Sequence, residues 1–280
     1  MLQTAQQHGT IDKVLFRFFI FWYSVGLILL VFDILPPALE WANSVFLIAC
    51  GVLGGFYFYR TYGNFGAIFT LFVLFGSIIA ESIGVKTGLI FGQYNYSNQL
   101  GLQWLGVPVA IGFAWVMIIA VSHAIAGGIV KPFKGQTAIK IPFYVITGGL
   151  IAVVMDGIID PVAYLVKGYW FWDGSGIYYG IPLQNFVGWF LLSSFFHITL
   201  VTGLNITKKT ATTQHPYWHS RTIAVFLMVT SMFVVLGLTS ELYLASIGVT
   251  LASIILLSLY SINNKPLSLN RSIAYSPGKR

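Results

Sequence analysis

The sequence predicts an all-α polytopic membrane protein of eight transmembrane helices, and three observations carry that reading. Of 280 residues, 57% are apolar and only 8% are charged, against roughly 25% charged in an average soluble domain. The apolar residues fall in runs of about 20, the length of a helix that crosses a bilayer, and backbone held away from water must satisfy its own hydrogen bonds, which excludes open sheets. The net charge of +7 sits in short clusters between the runs, so it is a topology signal and not the extended basic stripe of a nucleic-acid-binding protein.

Taken in order, the spans are expected at 16–35, 43–59, 64–83, 107–130, 141–164, 183–206, 221–239 and 242–262. The first is too long for a signal-peptide core and lacks a small-residue cleavage site, so it is read as a span. The last two meet in a tight turn at Ser240 and Glu241. An N-terminus in the cytoplasm puts Lys13, Arg17, Arg60, Lys131, Lys134, Lys140, Lys208, Lys209, Arg221, Lys265, Arg271, Lys279 and Arg280 inside, and leaves only Lys86 and Lys167 outside. This positive-inside bias predicts both termini in the cytoplasm, in a prokaryotic plasma membrane. The chain is read as a single transmembrane domain over 1–280, with a repeat-containing catalytic core over 64–206 and a cytoplasmic tail over 263–280. Cys50 is the only cysteine, so there is no disulfide framework.

Two outer loops, 84–106 and 165–182, are long, rich in glycine and aromatic residues, and nearly uncharged. Rings at the headgroup level are ordinary membrane anchors. The length and glycine content of these loops predict that they also fold over something. Aligning them exposes an internal repeat. Gly106-Val107-Pro108, Trp115 and His123 recur as Gly180-Ile181-Pro182, Trp189 and His197, each offset by 74 residues. Each copy follows a span that ends in acid, so spans 3–4 and 5–6 are read as parallel repeats about an axis along the membrane normal, which would bring the acidic ends together.

Those acids are Glu81, Asp156 and Asp160, and as the acids within spans they gather towards one face of the membrane. An ionisable group in hydrocarbon is costly and is expected to face the protein interior and to act there. Asp156 and Asp160 are one helical turn apart, on one face, where two carboxyls share protons as an acid beside a base. The structural alternatives are that Asp160, followed by Pro161, ends its helix near headgroup water, and that Glu81 is a capping residue. Asp33, Glu40, Asp173 and Glu241 fall in loops or at span ends and need no special role. His123 and His197 lack further ligands at their level and read as packed, hydrogen-bonded histidines; His215 and His219 read as solvated in a cytoplasmic loop.

No phosphate loop, nucleophile elbow or dinucleotide fingerprint is present, and no metal site or cofactor is expected. No lysine lies mid-span for Schiff-base chemistry. What remains is an acid pair, the donors Gln184, Asn185, Tyr94 and Tyr96, and many tryptophans. Such groups suit protonation of a trisubstituted terminal double bond of an isoprenoid. Aromatic faces stabilise the tertiary cation, and water or an internal double bond traps it.

Several motifs then resemble a known family. They are Glu81-x-x-Gly84, Gly88-x-x-Phe91-Gly92-x-Tyr94-x-Tyr96, Leu105-Gly106-Val107-Pro108, Asp156-x-x-x-Asp160-Pro161, Trp170-x-Trp172, Gly176-x-Tyr178-x-Gly180-Ile181-Pro182-x-x-Asn185 and Gly188-Trp189. Over spans 3 to 6 the pattern is similar to the carotenoid-biosynthesis membrane family, which includes cofactor-independent carotenoid 1,2-hydratases. The resemblance implies an acyclic carotenoid and water as substrates, in a lipid bilayer, with other carotenoid-pathway enzymes as contacts and no nucleic acid. It implies catalytic roles for Asp156, Asp160 and Glu81, water positioning by Asn185, Tyr94 and Tyr96, and substrate contact by Trp170, Trp172, Trp189 and Tyr178. Rival readings are an end-group cyclase working through the same cation, and a proton-coupled transporter built on the same acids. The transporter would need a polar path to the cytoplasmic side, where polar residues below Asp156 look sparse.

Overall fold

The computed structural model describes residues 9–133, 135–174, 176–208 and 215–264. Lys134, Lys209, Lys265, Arg271, Lys279, Arg280 and the expected tail beyond Asn264 lie outside them. Among the described residues, eight helices are long and apolar enough to cross a membrane. They are α1 (Thr10–Val31), α2 (Trp41–Tyr62), α3 (Asn64–Thr87), α4 (Val109–Ile129), α5 (Thr137–Pro161), α6 (Leu183–Ile206), α7 (Pro216–Thr239) and α8 (Tyr243–Asn263). The sixth matches its expected limits, and α7 and α8 do meet at Ser240 and Glu241.

Helix α4 forms the centre, with almost every side chain buried. Its alanines and glycines let neighbours approach closely, which is how helices associate where lipid is as apolar as the protein. From α2, Gly51 packs so tightly that a Cβ would lie 2.4 Å from the Phe113 carbonyl oxygen. At the other extreme, α1 buries only Asp12 and Phe19, and so lies at the edge of the bundle.

Two helix starts differ most from expectation. Helix α1 starts at Thr10, six residues earlier than read, and carries Asp12 and Lys13 into the helix. Asp12 is thus a fourth buried acid, at the end of the bundle opposite Glu81, Asp156 and Asp160. It accepts from Arg60 Nε at 3.0 Å and from Trp218 Nε1 at 3.1 Å, which fastens α1 to α2 and α7. Apolar run length could not see it, because a paired acid in the first turn costs the helix little while looking like loop. Helix α7 likewise starts early, at Pro216 in the favoured N1 position, and puts His219 on the helix. Its Nε2 pairs with Tyr260 Oη of α8 at 2.8 Å, so His219 is half-buried and bonded, not a solvated loop residue.

The two long loops fold over the bundle end where α3 and α5 finish. β1 (Tyr94–Tyr96) pairs antiparallel with β4 (Trp170–Trp172), matching Tyr94 with Trp172 and Tyr96 with Trp170. β2 (Gln103–Trp104) and β3 (Val107–Pro108) form a hairpin whose turn residues, Leu105 and Gly106, both have positive φ, of 57° and 82°. That is the twist a two-residue hairpin favours, and the Ser82 hydroxyl fixes it by donating to the Leu105 carbonyl at 2.9 Å.

Helix α5 does not stop at Pro161 but runs on into a π-type turn, Val162–Val166. Proline has no N–H, so the Gly157 carbonyl loses its usual helical partner. The Tyr178 hydroxyl replaces it, donating to that carbonyl at 2.6 Å.

Candidate active site

Under the β1/β4 ribbon lies a cavity of about 250 Å³. Glu81, Asp156, Asp160, Tyr94, Tyr96, Trp170, Trp172, Asn185 and Trp189 all line it, as does Trp115. Tyr178 does not; it lies outside the cavity wall with its hydroxyl committed to Gly157. Gln184 is also elsewhere, donating to the Gly88 and Leu89 carbonyls and so tying α6 to the loop after α3.

The three carboxyls are held differently. Asp160 is 1% exposed, so it is neither frayed nor solvated at its helix end. Its Oδ1 accepts from Trp170 Nε1 at 2.6 Å and Trp172 Nε1 at 3.2 Å, and its Oδ2 from Asn185 Nδ2 at 2.7 Å. Alternation along β4 puts both indoles on one side of the ribbon, which is why the Trp170-x-Trp172 spacing reaches one carboxyl. Glu81 also has three donors: the Tyr94 hydroxyl, the Tyr96 hydroxyl at 3.0 Å, and Trp115 Nε1 at 2.8 Å. Burial first, and the Glu81 carboxyl second, push both tyrosine hydroxyls far above the ordinary range, so they stay donors.

Asp156 differs from both. It is fully buried and its Oδ2 accepts only from Asn185 Nδ2, at 2.8 Å. Its Oδ1 has no hydrogen-bond partner in the described structure. Buried polar atoms are nearly always paired, so an orphan in a cavity wall marks a place where a ligand or a transferable proton belongs. Asn185 bridges the two aspartates through one nitrogen.

Trp115 and Trp189, the paired tryptophans of the repeat, stack with ring centroids 4.4 Å apart. The 74-residue register pointed to Trp115, but nothing in it showed that the indole serves Glu81.

Deeper in the bundle, His123 bonds Tyr62 Oη at 2.7 Å and Tyr144 Oη at 2.5 Å. His197 bonds the Ser193 carbonyl at 2.7 Å and Ser122 Oγ at 3.3 Å. Both are packed and hydrogen-bonded, as the sequence led us to expect. The half of the bundle below Asp156 is thus more polar than it looked, yet none of these groups lines the cavity. Among the described residues, no three His, Cys, Asp or Glu side chains converge as a metal site requires.

Apart from Tyr23, Asn43, Lys167 and Tyr169, the rest of the wall is apolar. It comes from α1, α2 and α7, through Trp22, Val25, Gly26, Phe46, Met232 and Phe233 among others. A buried carboxyl with one unpartnered oxygen, two buried carboxyls each accepting three donors, and a long, mostly apolar wall make up the site.

The model of the family described as carotenoid biosynthesis protein matches residues 42–257. The chain belongs to this family. Among curated proteins, a bisanhydrobacterioruberin hydratase from Haloarcula japonica is 26% identical over 115 residues, which are 41% of this chain and 37% of that protein. The match thus spans little more than a third of the relative's length. No solved structure matches. As a carotenoid biosynthesis protein, the chain contributes α2 to α8 to the family match, so the acids, the ribbon and the repeat all lie within it, while α1 lies before it.

Proposed function

We propose that this carotenoid biosynthesis protein is a cofactor-independent hydratase, which adds water across the terminal C-1,2 double bond of an acyclic carotenoid to leave a tertiary alcohol. One observation carries the reading: Asp160 and Glu81 each accept three donors, whereas Asp156, between them in function, has one donor and an unpartnered Oδ1 in the cavity wall. A carboxylate ringed by N–H and O–H groups is stabilised as an anion. A carboxyl with a free oxygen can carry a proton there and deliver it.

In this mechanism Asp156 gives its proton to C-2, the π electrons form the new C–H bond, and a tertiary cation is left at C-1. The faces of Trp189 and the ribbon tryptophans, with the charges of Glu81 and Asp160, stabilise it; each cation–π contact is worth about 0.5–2 kcal/mol. Water held by the Tyr94 and Tyr96 hydroxyls attacks C-1 and loses a proton to Asp160. The aspartate pair then holds one proton, as at the start, and its return to Asp156 completes the cycle. The name of the Haloarcula relative, a hydratase, supports the same class of reaction.

The apolar wall also suits an end-group cyclase, in which an internal double bond replaces water as the trap. A proton-coupled transporter has less support, since the buried polar groups beneath the acids stay outside the cavity. Expression in a lycopene-accumulating host separates these readings. A pigment heavier by one water is expected, and it should vanish with Asp156→Asn. An isomer of unchanged mass would replace hydratase by cyclase, and unaltered lycopene would remove both.

A further inference from the structure

The cavity is too small for the molecule it would serve. Sites that enclose a drug-sized ligand measure about 300–1,000 Å³, and this one measures about 250 Å³. A carotenoid, a rod of many isoprene units, can place only its reactive end inside. The remaining chain has to leave the protein.

The wall shows where. Its acids and Asn185 are at most 4% exposed, and its α7 residues, such as Met232 at 4% and Phe233 at 8%, form a closed back. The exposed lining residues are Phe21 at 64% and Val25 at 42% on α1, and Leu39 at 38% and Trp41 at 52% where the chain turns into α2. The mouth is therefore between α1 and residues 35–41, at the edge helix. The four most exposed residues at this mouth are apolar, and its polar neighbours Asn43 and Glu40 bond each other at 2.8 Å, so it faces lipid and not water.

One glycine stands in this passage. Gly26 lies mid-helix in α1 and lines the cavity, yet a Cβ added there would meet no atom within 4 Å. Glycine inside a helix costs about 1 kcal/mol relative to alanine, and no neighbour demands it here. Its effect is to keep the passage wide.

We propose that the α1 mouth is the binding site for the substrate's polyene tail, which lies from the cavity past Gly26 into the bilayer, and that Gly26 sets the width of this passage. The proposal rests on the reading of the cavity as a carotenoid site but not on the reaction performed there. Retention of lycopene by the purified detergent-solubilised protein tests it, read from the visible absorption that stays with the protein. The wild type and Asp156→Asn should retain lycopene equally. A series of Gly26→Ala, Gly26→Leu and Gly26→Trp should retain progressively less, with about a tenfold loss, roughly 1.4 kcal/mol, for tryptophan. Gly248→Trp should match the wild type, since Gly248 on α8 is exposed, equally free of neighbours and outside the cavity wall. Undiminished retention across the Gly26 series, an equal loss in Gly248→Trp, or no retention by the wild type would each overturn the proposal. Retention that follows the series in a protein that hydrates nothing would remove the hydratase and leave the tail site standing.

Discussion

Asp156 and Asp160 share a helix, a face and Asn185, but they are not equivalent, because the ribbon tryptophans reach only Asp160. The variants should separate accordingly. Asp156→Asn removes the proposed donor while disturbing one hydrogen bond, so hydration should fall about 10²–10⁴-fold with the protein still folded in the membrane. Asp160→Asn leaves an amide facing three donors with a single acceptor oxygen, so activity and stability should fall together, by about 1–3 kcal/mol in thermal unfolding. Trp115→Phe keeps a ring against Trp189 but takes the N–H from Glu81; product formation should drop without loss of folded protein. Replacing His123 or His197 by alanine should instead lower the yield of folded protein more than turnover per folded molecule. A variant of either histidine that folds normally and is inactive would move the chemistry to the lower half of the bundle.

Helix ends and loops decide how these residues are presented. The π-type turn after Pro161 keeps Asp160 buried as the chain leaves α5, and Tyr178 stabilises that turn through the Gly157 carbonyl. Tyr178→Phe should therefore destabilise the protein by about 1 kcal/mol, the loss of a hydrogen bond to a part-buried carbonyl. The loss should shrink in a Pro161→Ala background, where residue 161 regains an N–H for Gly157, and a double-mutant cycle on unfolding reads that coupling directly. Additive losses would mean that Tyr178 acts elsewhere. At the opposite end, Asp12 links α1 to Arg60 and Trp218. Arg60→Ala should loosen α1 first, seen as faster amide exchange over 10–31 before the rest of the bundle.

For the molecule as a whole, reporter fusions after Arg60 should report cytoplasm, and those at Ser97 should report the outside. A cytoplasmic signal at Ser97 would invert the bundle and put the acids on the inner face. In the expected orientation, the site lies beneath a ribbon at the outer surface and its mouth lies in the lipid. Water would then arrive from one direction and the carotenoid from another. A shared route would have to be apolar enough for the polyene and wet enough for the nucleophile.

The eight helices and the acid pair were legible in the sequence, because each depends on local spacing: runs of bilayer length, and carboxyls at i and i+4. The helix ends at Thr10 and Pro216 were not, since polar side chains that find partners within the fold look like loop until those partners are known. Nor was the inequality of the carboxyls. It comes from Trp115 on the next helix, from a ribbon that joins residues far apart in sequence, Tyr94 to Trp172 and Tyr96 to Trp170, and from Asn185 on α6. The apolar wall is the extreme case. Most of α1 and α7 reads only as hydrophobic helix, and packing alone turns one face of each towards the acids, because in lipid nothing in a side chain's own polarity distinguishes the protein interior from the bilayer.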